Sequence, residues 1–128
     1  MAEEDCPECA FMIPLVRNSD RQLHGPIAWR DFEDTILRTF VEGSTGPERL
    51  FRVAAPVPGL WRDGAQKTVE DENWRYYLAI PRGRIDELRA VLKRACNTFD
   101  QEAIYLSVGG SAGLVRGKPE DGFLGGGP

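Results

Sequence analysis

Residues 74–80, WRYYLAI, put Trp74, Tyr76, Leu78 and Ile80 on one side of an extended chain and Arg75, Tyr77 and Ala79 on the other. After a short PRG turn, RIDELRAVLKRACNTF repeats Ile85, Leu88, Leu92, Ala95 and Phe99 at helical spacing. A two-faced strand leading directly into an amphipathic helix constrains the chain more than any single motif does. The helix stripe needs an apolar sheet face to cover, and the strand supplies one.

The remaining periodic segments fit the same plan. FMIPLV, residues 11–16, is a short apolar run that reads as a strand, although Pro14 removes one ladder donor. Residues 25–43 read as a helix: Pro26 suits its first turn, Trp29, Phe32, Ile36, Leu37 and Phe40 form its apolar stripe, and Gly43 is a suitable stop. RLFRVAAPV follows as a strand with Phe51, Val53 and Ala55 turned inward. PGLWRDGAQKTVEDEN then reads as a long polar connection, and EAIYLSV as a last strand. The order is β-α-β-β-α-β. The predicted fold is therefore α+β and ferredoxin-like, a four-stranded antiparallel sheet with two helices on one face. Residues 11–108 form that domain, preceded by a flexible segment at 1–10. A Gly-rich tail spans 109–128, holds eight of the fourteen glycines, and has room for one extra strand at its start.

A chain of 128 residues with 41% hydrophobic content can bury a core without staples. Its net charge of −4 argues against general nucleic-acid binding. No apolar run is long enough to span a bilayer, so no membrane partner is expected. Residues 1–10 are acidic and lack the features of a signal peptide, which makes a cytoplasmic location the expectation.

The chemical signature that stands out is Cys6-Pro7-Glu8-Cys9. A structural zinc site needs four ligands and this pair supplies two. A redox pair belongs at a helix start after a strand, whereas this one precedes the first strand. The preferred reading is an incidental tail element, with a metal site at Cys6 and Cys9 or a redox pair as the alternatives. Cys96 reads as a small buried hydrophobe. No cofactor is implied.

In the ferredoxin-like arrangement one sheet face is left uncovered. Arg52, Arg75, Tyr77 and Tyr105 are expected there, among small residues. Tyrosine offers apolar area with a hydroxyl, and arginine forks onto a carboxylate or phosphate. Two uses fit: contact with a second copy of the chain in a homodimer, or binding of a small anionic ligand. RNA-binding domains use this face too, but RYYLAIPRG lacks their aromatic signature. Trp61 and Arg62, in the long connection, make a second candidate for ligand or interface. The leading expectation is a homo-oligomeric binding module. The alternative is a small dimeric α+β-barrel enzyme with a cavity near His24, Arg75, Tyr77 and Tyr105; whether the chain is an enzyme stays open.

Four stretches also occur in a particular order: WRDF at 29–32, FVEG at 40–43, GLWRDG at 59–64 and FDQEAIY at 99–105. Together they resemble a family of small bacterial proteins grouped as a domain of unknown function, with a W-x-x-F helix, an F-P-D-G turn, a G-x-W loop and F-x-Q before the last strand. Val41 departs from the proline usual in that turn. The resemblance implies the fold and no activity.

Overall fold

The computed structural model describes residues 5–117. Six strands and two helices follow one another as β1 (Glu8–Pro14), α1 (Pro26–Ile36), β2 (Leu50–Arg52), β3 (Val57–Arg62), β4 (Thr68–Ala79), α2 (Ile85–Thr98), β5 (Ala103–Val108) and β6 (Ser111–Arg116). The architecture is α+β with an antiparallel sheet, as expected, but the sheet has six strands rather than four.

The twelve-residue β4 is the spine. One edge carries β1 along more than half its length, from Glu8 opposite Ala79 to Pro14 opposite Asn73. Its other edge carries two strands in tandem: β2 against residues 76–78 and β3 against residues 68–73. β1 pairs onward with β5, and β5 with β6. The segment expected to be a polar connection is thus a β-hairpin. Asp63 closes its turn, its Oδ1 accepting the N–H groups of Ala65 and Lys67 at 2.9 Å each. The β5–β6 turn needs positive φ at both Gly109 (57°) and Gly110 (92°). Only glycine takes that pair of conformations freely, and it is the turn that matches strand twist.

Alternation decides the faces. Cys9, Phe11 and Ile13 of β1, Tyr76 and Leu78 of β4, Ile104 and Leu106 of β5 and Val115 of β6 point to the helices. There they meet Phe32 and Ile36 of α1 and Leu88, Leu92 and Ala95 of α2. Each such buried side chain contributes roughly 1.5–3 kcal/mol. Phe11 stacks on Tyr76 at 5.4 Å, and Phe32 meets Phe11, Tyr76 and Phe99 edge-on. Asp86 and Glu87 favour the start of α2 electrostatically. A π-helical turn, Leu37–Val41, follows α1. It keeps Phe40 buried and leaves Leu37 at the surface.

Three expectations are corrected here. Residues 1–10 are not all a flexible lead-in, because β1 begins at Glu8 and Cys9 is fully buried in the central sheet. Cys9, Phe11 and Ile13 share one side of that strand, so Cys9 is a core residue rather than a tail thiol. Phe51 does not face inward. Register places Leu50 opposite Leu78 and Arg52 opposite Tyr76, so Leu50 and Arg52 lie on the helix side and Phe51 lies on the open side, 61% exposed. The extra strand at the start of the glycine-rich region is β6; residues 118–128 lie outside the described residues.

Candidate ligand cleft on the open sheet face

On the face away from the helices, the strand registers build rows of side chains. Arg75, Met12, Tyr105 and Leu114 form one row across β4, β1, β5 and β6. Phe51, Tyr77, Ala10, Ser107 and Ala112 form the next. Towards the other end of the sheet, the β3–β4 hairpin rises beside Asn73 and Pro14. It bounds a cleft of about 500 Å3, with Met12, Asn73 and Tyr105 on its floor, Leu60 and Trp61 on one wall and Leu114 and Arg116 on the other. Asn18, Gln101 and Glu102 close one end.

Asp71 fixes the hairpin wall. It is nearly buried, and the Trp61 indole N–H donates to its Oδ2 at 2.9 Å while Arg21 donates to Oδ1 at 2.5 Å. Arg21 makes that reach from a left-handed backbone conformation, φ 59°, uncommon for a side chain of its size. Asn73 uses its Nδ2 on the carbonyls of Val57 and Asp71, at 3.2 and 3.0 Å. Gly59 makes room for that amide, since a Cβ there would come within 3.1 Å of Nδ2. At the closed end, Gln101 donates through Nε2 to the carbonyls of Val16 and Phe99, both at 2.9 Å, tying the end of α2 to the chain leaving β1. The cleft thus combines apolar and aromatic walls with a few fixed polar groups, the usual composition of a small-molecule site.

The residues singled out from sequence divide into three groups. Trp61 and Tyr105 line the cleft. Arg75 and Tyr77 share its face but lie beyond its lining, with the Arg75 guanidinium 5.1 Å from the centre of the Tyr77 ring. Arg52, Arg62 and His24 lie elsewhere. Arg52 is on the helix face, where it donates to Glu33 Oε2 at 2.7 Å and lies over the Trp74 ring. The same Glu33 oxygen accepts the Tyr76 hydroxyl at 2.7 Å. Arg62 closes its own hairpin by donating to the Gln66 carbonyl at 2.9 Å. His24 packs between Trp29 and Phe99, with ring centres 5.6 and 4.9 Å away. A single cavity gathering His24, Arg75, Tyr77 and Tyr105 is therefore not what the fold builds, because His24 belongs to the opposite layer. Among the described residues no group of three or more His, Cys, Asp or Glu side chains is placed to hold a metal ion.

Asp71 and Asn73 were missed at the sequence level because 58–73 read as a loop. Their signal was available. Val69, Asp71, Asn73, Arg75 and Tyr77 continue one alternation, so the strand could have been extended backward from WRYYLAI.

A second, wider depression of about 850 Å3 lies on the far side, around Phe40, residues 42–48 and Arg84. Its walls are mostly polar loop, with Ser44 bonded to Glu48.

No family model and no curated protein matches the sequence. Two solved structures match the fold. A phage SAM lyase in complex with S-methyl-5'-thioadenosine superimposes with a TM-score of 0.60 at 10% identity, over 92% of this chain and 95% of the other. A phage SAM lyase in the apo state gives 0.54 at 12% identity, over 92% and 96%.

Proposed function

We propose that this chain is a small enzyme whose open-face cleft takes an adenosine-derived thioether or sulfonium, of the S-adenosylmethionine and S-methyl-5'-thioadenosine class. The observation that carries the reading is the walled cleft itself. It lies on a sheet face that this topology leaves bare, and the β3–β4 hairpin and β6 are what give it sides. Four of the strands, in the order β2–β4–β1–β5, follow the order of a ferredoxin-like sheet, with β3 and β6 as additions to it. The volume, about 500 Å3, suits a nucleoside with a short tail. Trp61 and Tyr105 offer rings to a purine, and the Asn73 amide oxygen has no hydrogen-bond donor among the described residues. The likeness to a lyase holding S-methyl-5'-thioadenosine supports the same ligand class.

The chemistry is compatible with these walls. S-adenosylmethionine carries a sulfonium charge. When its own carboxylate oxygen bonds to the carbon next to sulfur, that carbon–sulfur bond breaks with its electron pair going to sulfur. The products are a lactone of the amino-acid tail and the neutral thioether S-methyl-5'-thioadenosine. An apolar lining from Met12, Leu60 and Leu114 penalises the charged reactant more than that thioether. Glu102 at the closed end offers attraction to the incoming cation. Incubation of the purified chain with S-adenosylmethionine, followed by chromatography, tests the reading. Formation of S-methyl-5'-thioadenosine above the no-protein rate supports it. An unchanged rate together with no binding of either compound refutes it.

A second reading rests on a separate observation. Phe51 and Leu114 are 61% and 53% exposed on the same open face as Tyr77. An apolar surface of that kind suits contact with a second copy. Sedimentation of the wild type against Tyr77→Glu tests it; a monomer in both cases ends that reading.

A further inference from the structure

We infer that Arg75 receives the carboxylate of the ligand's amino-acid tail, which makes the cleft selective for adenosyl amino acids over S-methyl-5'-thioadenosine. This rests on the cleft reading above and adds a specificity-determining residue to it.

The argument begins with the arginines. Among the described residues only Arg75 and Arg84 are not exposed. Arg84 has its acceptors, the Glu87 carboxylate at 2.9 Å and the Thr39 carbonyl at 2.9 Å. Arg21, Arg52, Arg17 and Arg82 each hold an Asp or Glu within 4 Å. Arg75 has no such partner among the described residues, and its Nε is buried with no hydrogen-bond acceptor there. Burying that N–H without an acceptor is costly, because it gives up a hydrogen bond to water that the Tyr77 ring contact does not replace.

Its position gives that cost a use. Arg75 is directly opposite Met12 on β1, and Asn73 lies two residues away on the same face of β4. Both Met12 and Asn73 line the cleft. Directly opposed residues in an antiparallel pair have Cβ atoms roughly 4.5–5.5 Å apart. The Arg75 Cβ therefore stands beside the cleft floor, on the side away from the Glu102 end, and its side chain continues over Tyr77, just beyond the lining. Packing over the Tyr77 ring, 5.1 Å from its centre, limits how the fork can turn. A restrained fork with unused donors at the edge of an apolar cleft matches a carboxylate, which it can bind through two parallel hydrogen bonds. Asp71 and Asn73 lie between the Trp61 wall and Arg75 along the same face of β4, so a ligand with its base against Trp61 would direct its tail along the strand to Arg75.

Two non-reacting probes isolate the effect. S-adenosylhomocysteine and S-methyl-5'-thioadenosine share the adenine, the ribose and the thioether sulfur, and only the first has an amino-acid tail. Calorimetric titration of wild type, Arg75→Met and Arg75→Lys with both compounds gives the test. The expected result is that Arg75→Met weakens S-adenosylhomocysteine about 10- to 100-fold and leaves S-methyl-5'-thioadenosine unchanged, with Arg75→Lys in between. Retained binding of S-methyl-5'-thioadenosine also reports that the variant is folded. Equal losses for both compounds, or no loss for either, overturn the assignment. A wild type that binds S-methyl-5'-thioadenosine but not S-adenosylhomocysteine keeps the cleft reading and ends the role of Arg75. A wild type that binds neither ends both.

Discussion

The Trp61 indole N–H and Asp71 Oδ2 are joined at 2.9 Å although they are not cross-strand partners: Asp71 lies opposite Gly59, and Trp61 opposite Val69. The indole reaches diagonally along the strand pair, past the glycine, to a carboxylate that Arg21 holds from the other side. One nearly buried acid thus anchors both the hairpin and the loop after β1. Asp71→Ala removes both bonds and should cost about 2 kcal/mol, with half-exposed Arg21 limiting the loss. Trp61→Phe keeps an aromatic wall but loses the donor, and about 1 kcal/mol is expected. Urea denaturation measures both, and a neutral Asp71→Ala would mean that the hairpin is held by its backbone ladder alone.

Acid should destabilise the protein in two separate windows. His24 is edge-on to Trp29 and Phe99, and its Nε2 is buried without an acceptor. Burial, reinforced by the nearby Arg17 charge, holds its pKa below the usual value of 6.5. The unfolded chain then takes the proton first, so stability falls as pH drops below about 6.5 and levels off once the folded form is protonated too. Asp100 shifts the same way for a different reason: the Ser19 hydroxyl and backbone N–H donate to it and hold its carboxyl below the usual range. Its contribution is present above pH ~4 and is lost as pH falls through the folded pKa. Melting curves against pH should show both limbs. His24→Phe should flatten the first and Asp100→Asn the second, with asparagine tolerating the left-handed backbone at that site, φ 52°.

Two of the three cysteines should be protected until the chain unfolds. Cys9 is fully buried in β1, and burial raises its thiol pKa. Cys96, on α2, donates to the Val115 carbonyl and is pushed by burial up to about 11. Thiolate, the reactive form, is therefore scarce at both. A thiol reagent counted in native buffer and again in denaturant should gain two equivalents. Cys9→Ser should also destabilise, by roughly 1–3 kcal/mol, because it puts a hydroxyl in an apolar sheet layer. A fully stable Cys9→Ser protein would return that residue to the tail.

Close packing behind β6 gives a further check. A Cβ on Gly117 would lie 2.8 Å from the Cβ of Cys96, so the chain leaving β6 passes too near α2 for any side chain. Gly117→Ala should cost about 1–3 kcal/mol. An unchanged melting temperature would indicate that the chain beyond Arg116 moves aside without loss.

The strong periodicities could be read from sequence because core burial enforces them. Trp74–Ile80 and Ile85–Phe99 show their faces in full, since one side of each meets the same apolar layer. The hairpin was hidden because β3 carries Pro58 and Gly59, residues depleted in strands but tolerated on an edge. β2 was placed with the wrong face inward because three residues are too few to show a period, and there register with β4 outweighs apolarity. That single reversal moved Arg52 from the proposed site to a bond with Glu33. Of the cleft, Trp61 and Tyr105 were found as aromatic residues in suitable places. Asp71 was missed because a carboxylate in an acidic run, VEDEN, looks like solvated surface until the strand alternation is carried through it.

The most direct test of the cleft is the Trp61 indole N–H resonance in a nitrogen–proton NMR titration with S-methyl-5'-thioadenosine. The account predicts saturable shifts at that indole, at the Asn73 side-chain amide and at the backbone of Met12, Tyr105 and Leu114, with the loop at 42–48 unmoved. Shifts centred on that loop and Arg84, or none at millimolar ligand, would contradict it.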